Sequence, residues 1–240
     1  MNRPDQIAAE PTRRHYSCAG CMVQLPDRRT WLLGGLCSTC RAEQDKRDFG
    51  NRLQAVLATV PAIHREINFR DRRIVQWVPS LKLRHMAETS VSAQQVTLYG
   101  PPGAGKSTLA AAMLNHLIKA AMSGDKAAMA RVESGRFVRA EALGEARSQH
   151  ALGADEAPLV AVAMNCSLLI LDDLGKEDRR KREAVVQVLR TRHVDERPTI
   201  VTTELGPDAI VSSYASEGVD GTHLMRRLFT SPAIPIEVLR

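Results

Sequence analysis

Residues 100–107 read Gly-Pro-Pro-Gly-Ala-Gly-Lys-Ser and satisfy the pattern G-x-x-x-x-G-K-[ST]. The surroundings give the pattern its weight. Gln95–Tyr99 reads as a short apolar strand entering the loop, and Lys106–Met122 as an Ala-rich helix leaving it. Strand, glycine-rich turn and helix in that order make a cradle for phosphate. The glycines let backbone N–H groups turn inward, and the helix start adds its positive end. The expected contacts are Gly100, Pro101, Pro102, Gly103, Ala104, Gly105, Lys106, Ser107 and Thr108. Lys106 is expected to neutralise the β- and γ-phosphates, and the Ser107 hydroxyl to ligate Mg²⁺. A merely solvated glycine-rich turn is the competing reading, and it leaves the strand–loop–helix order unexplained.

Such a loop needs a metal partner, and Ser167–Leu171 supplies a place for one. This strongly apolar run reads as a buried strand that ends in Asp172-Asp173. The C-terminal edge of strands is where α/β sheets bind ligands. Asp172 is expected to hold Mg²⁺ through water, and Asp173 to orient or deprotonate an attacking water. Arg136–Val138 and Thr199–Thr203 read as further strands, and a helix is expected over about 179–193. Short strands alternating with helices predict a parallel sheet covered on both faces, an α/β fold.

Upstream the pattern changes. Leu53, Val56, Leu57 and Val60 recur at helical spacing until Pro61 stops the run. Before them, Cys18-Ala-Gly-Cys21 and Cys37-Ser-Thr-Cys40 form two C-x-x-C knuckles with fifteen residues between them. That spacing suits tetrahedral Zn²⁺ bound by Cys18, Cys21, Cys37 and Cys40. Four sulfurs close the coordination sphere, so the metal is expected to be structural. A segment this short has too small a core to fold without a staple. Redox and disulfide readings lack their usual βαβ or oxidising context. Cys166 reads as a small core residue. The expected divisions are a zinc-binding partner domain at 1–48, a helical linker at 49–90 and an ATPase domain at 91–240.

Composition removes several classes. The chain has 240 residues, 44% hydrophobic and 25% charged, which fits a folded protein rather than a disordered one. No apolar run approaches the ~18 residues that span a bilayer, and the first residues carry no secretory signal, so a cytoplasmic location without membrane contact is expected. Lys and Arg number 33 against 27 Asp and Glu, a net +6 that suits a nucleic-acid partner. Aromatic residues are only 4%, which argues against a surface that stacks many bases. A small-molecule kinase is disfavoured because no lid or acceptor site is evident.

Three segments together carry a family resemblance: Tyr99-Gly-Pro-Pro-Gly-Ala-Gly-Lys-Ser-Thr108, Leu168-Leu-Ile-Leu-Asp-Asp-Leu-Gly175 and Arg197-Pro-Thr-Ile-Val-Thr-Thr203. They resemble the DnaC/IstB group of AAA+ ATPases, and Val60–Phe69 resembles the segment preceding that core. The resemblance covers roughly residues 60–240. It implies an AAA+ P-loop NTPase with a central parallel sheet behind a small zinc domain. It implies ATP hydrolysis to ADP and phosphate, stimulated by assembly or DNA. The implied job is loading a replicative helicase onto single-stranded DNA, with the N-terminal zinc domain gripping the helicase. The alternatives are an IstB-like transposition ATPase, partnered with a transposase and selecting target DNA, and a nucleotide-gated adaptor with little turnover.

The resemblance also assigns residues. A polar γ-phosphate sensor is expected after the fourth strand, where Glu204 stands, so Thr203 is the candidate contact. Leu224-Met-Arg-Arg-Leu-Phe229 resembles the segment that presents an arginine to a neighbouring subunit, which makes Arg227, then Arg226, catalytic candidates acting in trans through self-association. Arg240 stands where a late sensor arginine is expected. Arg179-Arg-Lys-Arg182 places four cations at a helix start against the macrodipole, which reads equally as a DNA-phosphate contact or a frayed, solvated turn.

Overall fold

The structure, a computed structural model, describes residues 16–26, 34–151, 153, 155–215 and 221–239. It divides into two compact units, 1–51 and 52–240. In the first, the described residues are a knuckle with an isolated antiparallel bridge, Ser17 to Gln24, and a second knuckle whose Cys40 lies in the first turn of a helix, α1 (Ser38–Thr59). Cys18 and Leu25 are the buried apolar side chains among them. In the second unit α1 buries Leu53 and Val56, and the helix ends just before Pro61.

The second unit continues through a 3₁₀ turn at Ala62–His64, α2 (Arg72–Trp77) and α3 (Leu81–Thr89), the last two capped by Asp71 and Ser80. Then come β1 (Gln95–Tyr99), α4 (Lys106–Met122), α5 (Lys126–Val132) and β2 (Arg136–Arg139). They are followed by α6 (Ala140–Ser148), α7 (Pro158–Asn165), β3 (Leu169–Leu174) and α8 (Arg182–Val194). The chain closes with β4 (Thr199–Thr203), α9 (Pro207–Tyr214), α10 (Gly221–Phe229) and β5 (Ala233–Glu237).

The five strands form one sheet in the order β2-β3-β4-β1-β5, and every pairing is parallel. Parallel neighbours require crossovers, and helices supply each of them. Apart from Gln95 and the Asp172-Asp173 pair, the central strands are apolar or Thr because both faces are covered, and all five β4 residues are buried. One core gathers Leu143, Leu171, Val188, Val201, Ile210 and Leu224 from the strands and from α6, α8, α9 and α10.

The strands at 95–99 and 199–203 and the helix at 106–122 lie where their patterns predict. The third strand is displaced. It starts at Leu169, opposite Thr199, and runs through Asp172 and Asp173 to Leu174, with a register break after Leu171. Ser167 lies before it, exchanging two backbone-to-hydroxyl bonds with Ser134. The helix expected from 179 begins at Arg182, after a 3₁₀ turn at Arg179–Lys181. The fifth strand escaped the sequence pattern because Pro235 interrupts it. An edge position tolerates proline, since one row of its backbone donors has no strand to meet.

Arg192 is the least expected core residue, at 1% exposure. Its guanidinium donates to Thr199 Oγ1 at 2.9 Å, Ala163 O at 2.9 Å, Cys166 O at 2.8 Å and Pro198 O at 2.5 Å. It thereby ties the last turn of α8 to the end of α7 and the entry to β4. Replacing it by Met fills the volume but leaves three carbonyls without this donor, at ~1–3 kcal/mol for each buried group left unsatisfied. Arg192→Met is expected to lower stability by about 3 kcal/mol or more. In urea unfolding this reads as a lower midpoint with the slope kept.

Candidate functional site

The loop between β1 and α4 is built on glycine. Gly100 has φ +145°, and a Cβ there would come within 2.3 Å of Val238 O, beside the bond from Val238 N to Tyr99 O. Gly105, with φ +89°, is the N-cap of α4 and packs against Trp77 and Val78, leaving no room for a side chain. The first-turn N–H groups of α4 have no intrahelical acceptor, as at any helix start. Lys106 is 5% exposed, and its ammonium donates to Gly100 O at 2.9 Å and Pro101 O at 2.7 Å. Burial lowers its pKa, while Glu204, Asp173 and Asp172 act to raise it. Pro101, Pro102 and Gly103 are exposed, and Ala104 and Thr108 are buried.

Asp172 and Asp173 diverge at the break in β3. Asp172 is buried, and its Oδ1 accepts a 2.6 Å bond from the Thr202 hydroxyl. The same hydroxyl accepts from Asp173 N at 2.9 Å. Asp173 adopts φ +58°, a left-handed conformation that a non-glycine residue holds only when its surroundings impose it. Its carboxylate therefore faces the cleft, with Arg139 Nη2 3.9 Å away. Burial and the neighbouring Asp172 push its pKa up, which moves a carboxylate toward the basicity of a general base.

Ile63, His64, Trp77, Gly103, Gly105, Lys106, Ser107, Thr108, Asp173 and Glu204 line one cleft of about 260 Å³. The cradle and the acidic strand end thus share a cavity. Ser107 and Asp172 offer the all-oxygen donor set that suits a hard cation such as Mg²⁺. Sequence reasoning missed His64, Trp77, Thr202, Arg139 and Lys176. His64 Nδ1 is buried without a hydrogen-bond partner among the described residues. Lys176 Nζ lies 2.5 Å from Glu204 Oε2.

Other expected residues lie elsewhere. Thr203 is fully buried, its hydroxyl donating to Leu174 O at 2.7 Å and accepting from Leu205 N at 3.0 Å, and it does not line the cleft. Arg226 and Arg227 sit on α10, whose Leu224 and Leu228 are buried, and neither lines the cleft. Arg226 is exposed; Arg227 is half-buried, with its pKa lowered by burial and by Arg190. Phe229 at the end of α10 meets Tyr99 edge-to-face at 5.2 Å, which links this helix to the strand feeding the loop. Arg240 lies outside the described residues.

The Arg179–Arg182 run is not a uniform cationic face. Arg182 turns inward over the Tyr214 ring, 4.7 Å from its centroid and 3.5 Å from the buried Glu177 carboxylate. Tyr214 Oη also donates to Glu177. That cation is spent on the core, which corrects both readings of the run at this residue. Lys181 lies 3.8 Å from Glu145.

In the N-terminal unit, the sulfurs of Cys18, Cys21, Cys37 and Cys40 all lie within 4.8 Å of one another. Sulfurs around a tetrahedral Zn²⁺ with bonds of ~2.3 Å stand ~3.8 Å apart, and Cys21 Sγ to Cys37 Sγ is 3.6 Å. Cys37 N and Gly20 N donate to Cys18 Sγ at 3.2 and 3.4 Å. These donors, Cys37 first, bring the Cys18 pKa down to about 6. Neighbouring thiols, Cys21 first, push the Cys40 pKa up. The donor set fits a structural zinc, and Cys166 is a separate, buried thiol.

Comparisons with known proteins agree with this geometry. No curated protein matches the chain. Among solved structures, DnaI is 23% identical with a TM-score of 0.52, over 66% of this chain and 84% of that one. The DnaC helicase loader is 19% identical with a TM-score of 0.52, over 75% of this chain and all of that one. At these identities the likeness is one of fold, a P-loop AAA+ domain. Residues 28–214 match the IstB-like ATP binding proteins. With its phosphate loop, paired carboxylates and parallel sheet, the chain belongs to that family of DnaC/IstB-type AAA+ ATPases.

Proposed function

We propose that this protein is an ATP-dependent helicase loader that acts in DNA replication, gripping a replicative helicase through its zinc-binding unit and engaging single-stranded DNA. The observation that carries the reading is one cleft lined by Lys106, Ser107 and Asp173, in a chain whose other unit is a four-cysteine cluster. In this reading residues 1–48 are the partner domain, 49–90 the linker and 91–240 the ATPase domain. Work on DNA in replication places it in the cytoplasm, and no described helix is long and apolar enough to cross a membrane. The family match favours one second reading, an IstB-like ATPase that partners a transposase.

The chemistry follows from the residues. Backbone N–H groups of the loop and the start of α4 hold the phosphates. Lys106 leaves its two carbonyl acceptors for the β- and γ-oxygens. Asp173, held toward the cleft, orients the attacking water and takes its proton. Asp172 and Ser107 would hold Mg²⁺, which supplies charge neutralisation at the phosphates when bound. An arginine from a neighbouring copy, Arg227 ahead of Arg226, would meet charge developing on the γ-phosphate, so turnover depends on assembly.

Lys106→Ala is expected to abolish ATP binding, whereas Asp173→Asn keeps binding and loses turnover by about 100-fold or more, the scale of general-base catalysis. Titration with a fluorescent nucleotide and phosphate release measure the two. Equal binding by both variants would overturn this assignment of roles.

Lys106→Ala and Arg227→Ala are each expected to be inactive, yet mixing them should restore activity. The first still offers its arginine and the second still binds ATP. Activity that stays absent in co-assembled mixtures argues against a trans arginine at 227.

The full chain is expected to carry one zinc per molecule after dialysis and to retain a hexameric replicative helicase in a pull-down. Cys37→Ser should lose both zinc and helicase while ATP binding persists. Retention of a transposase instead of a helicase favours the second reading.

A further inference from the structure

The cleft carries a carboxylate where a phosphate is expected to lie. Glu204 follows β4 directly and lines the cavity together with Lys106 and Asp173. An unpaired carboxylate there repels a γ-phosphate. It is not unpaired, because Lys176 Nζ sits 2.5 Å from its Oε2. Lys176 belongs to the turn that leaves β3 after Asp172 and Asp173, so the pair links the ends of two adjacent strands across the mouth of the site.

The turn that carries Lys176 is held firmly. Lys176 N bonds Asp173 O at 3.2 Å, and Gly175, at φ +98°, donates its N–H to Glu177 Oε2 at 2.8 Å. Glu177 is itself buried, with Tyr214 and Arg182 against it. The backbone is therefore fixed while the side chain is free to move, since about half of the Lys176 side chain is exposed. An exposed lysine–carboxylate pair contributes little to stability and exchanges partners readily. A phosphate oxygen offers the ammonium a more highly charged acceptor than one carboxylate does.

Both lysines of the site are thus parked, Lys106 on two carbonyls and Lys176 on Glu204. Lys106 serves the β- and γ-phosphates together, so it separates triphosphate from diphosphate poorly. Lys176 does not itself line the cleft, but its partner Glu204 does, and Asp173 lies near enough for its charge to act on the ammonium.

Resting on the ATP-binding reading above, we propose that the Lys176–Glu204 pair is the triphosphate sensor of this protein. Glu204 stores the Lys176 ammonium when the site is empty or holds a diphosphate. A γ-phosphate draws the ammonium away, and the bond between the two strand ends is exchanged for one to nucleotide. The loss of that link is the signal that distinguishes the two nucleotide states.

The test compares affinities for ADP and for a non-hydrolysable triphosphate, AMPPNP, in the full chain by calorimetry. Lys176→Met is expected to weaken AMPPNP about tenfold or more, the scale of a charged hydrogen bond, and to leave ADP within about threefold. Glu204→Gln, which frees the lysine and removes the repulsion, is expected to tighten AMPPNP several-fold with ADP again little changed. The double variant should stay as weak for AMPPNP as Lys176→Met alone. A double variant restored to the wild-type ratio means that Lys176 only neutralises Glu204, and overturns the proposal. Equal changes for both nucleotides, or a Glu204→Gln variant weaker for AMPPNP, also overturn it, since a merely structural link moves the unfolding midpoint and not the ratio. Wild-type protein that binds ADP in a Lys106-dependent way upholds the ATP-binding reading whatever the ratio does; wild-type protein that binds neither nucleotide removes both.

Discussion

The Thr202 hydroxyl accepts from Asp173 N and donates to Asp172 Oδ1, and the geometry of the acidic strand end rests on those two bonds. A regular β3 would send residues 172 and 173 to opposite faces of the sheet, as strands do. The break in register after Leu171 lets pairing resume at Leu174 opposite Thr203, while the two carboxylates stay near one edge. The left-handed backbone at Asp173 costs of order 1–3 kcal/mol. The Thr202 bond to its N–H, the buried Leu174 and the Thr203 bond to Leu174 O hold the chain there. Strain at one residue is thus the condition for a base that faces the phosphate cradle.

Arginine plays two opposed parts. Arg192 and Arg182 are buried and stitch helices to strands through carbonyls, a carboxylate and an aromatic ring. The delocalised guanidinium, with its five donors, is more readily desolvated than an ammonium, which suits it to such places. Arg226 and Arg227 remain at the surface of α10. A count of basic residues does not separate the two uses. The +6 charge is therefore a weaker guide to nucleic acid than the sequence alone suggests, since two of the arginines behind it are buried.

The elements legible in the sequence were those whose physics is local. A glycine loop between an apolar run and an Ala-rich run announces its own strand and helix, and four cysteines at knuckle spacing announce a cluster. Elements set by distant contacts were not legible. The bulge at Asp172–Asp173 depends on Thr202, thirty residues downstream of Asp172. Strand β5 hides behind Pro235 because edge placement is a property of the sheet. Arg182 reads as a solvated cation because nothing nearby in sequence reveals that Tyr214 and Ser213 receive it. The cleft wall from His64 and Trp77 likewise comes from chain return rather than from a motif.

Charge balance explains why the resting site looks as it does. Asp172, Asp173 and Glu204 converge near the cleft, and a polyphosphate adds more negative charge. Lys106, Lys176 and Arg139 oppose them, and each already has an oxygen partner. Each cation's oxygen partner offsets part of the cost of a buried ammonium, three neighbouring carboxylates and the left-handed Asp173. Lys176 and Arg139 are largely exposed, and Lys106, though buried, is held by two carbonyls of its own loop rather than by a network like that of Arg192, so each can leave its partner. The same fold thus contains two kinds of cation–oxygen contact, one too encumbered to exchange and one weak enough to do so. The exchangeable ones lie where phosphate enters.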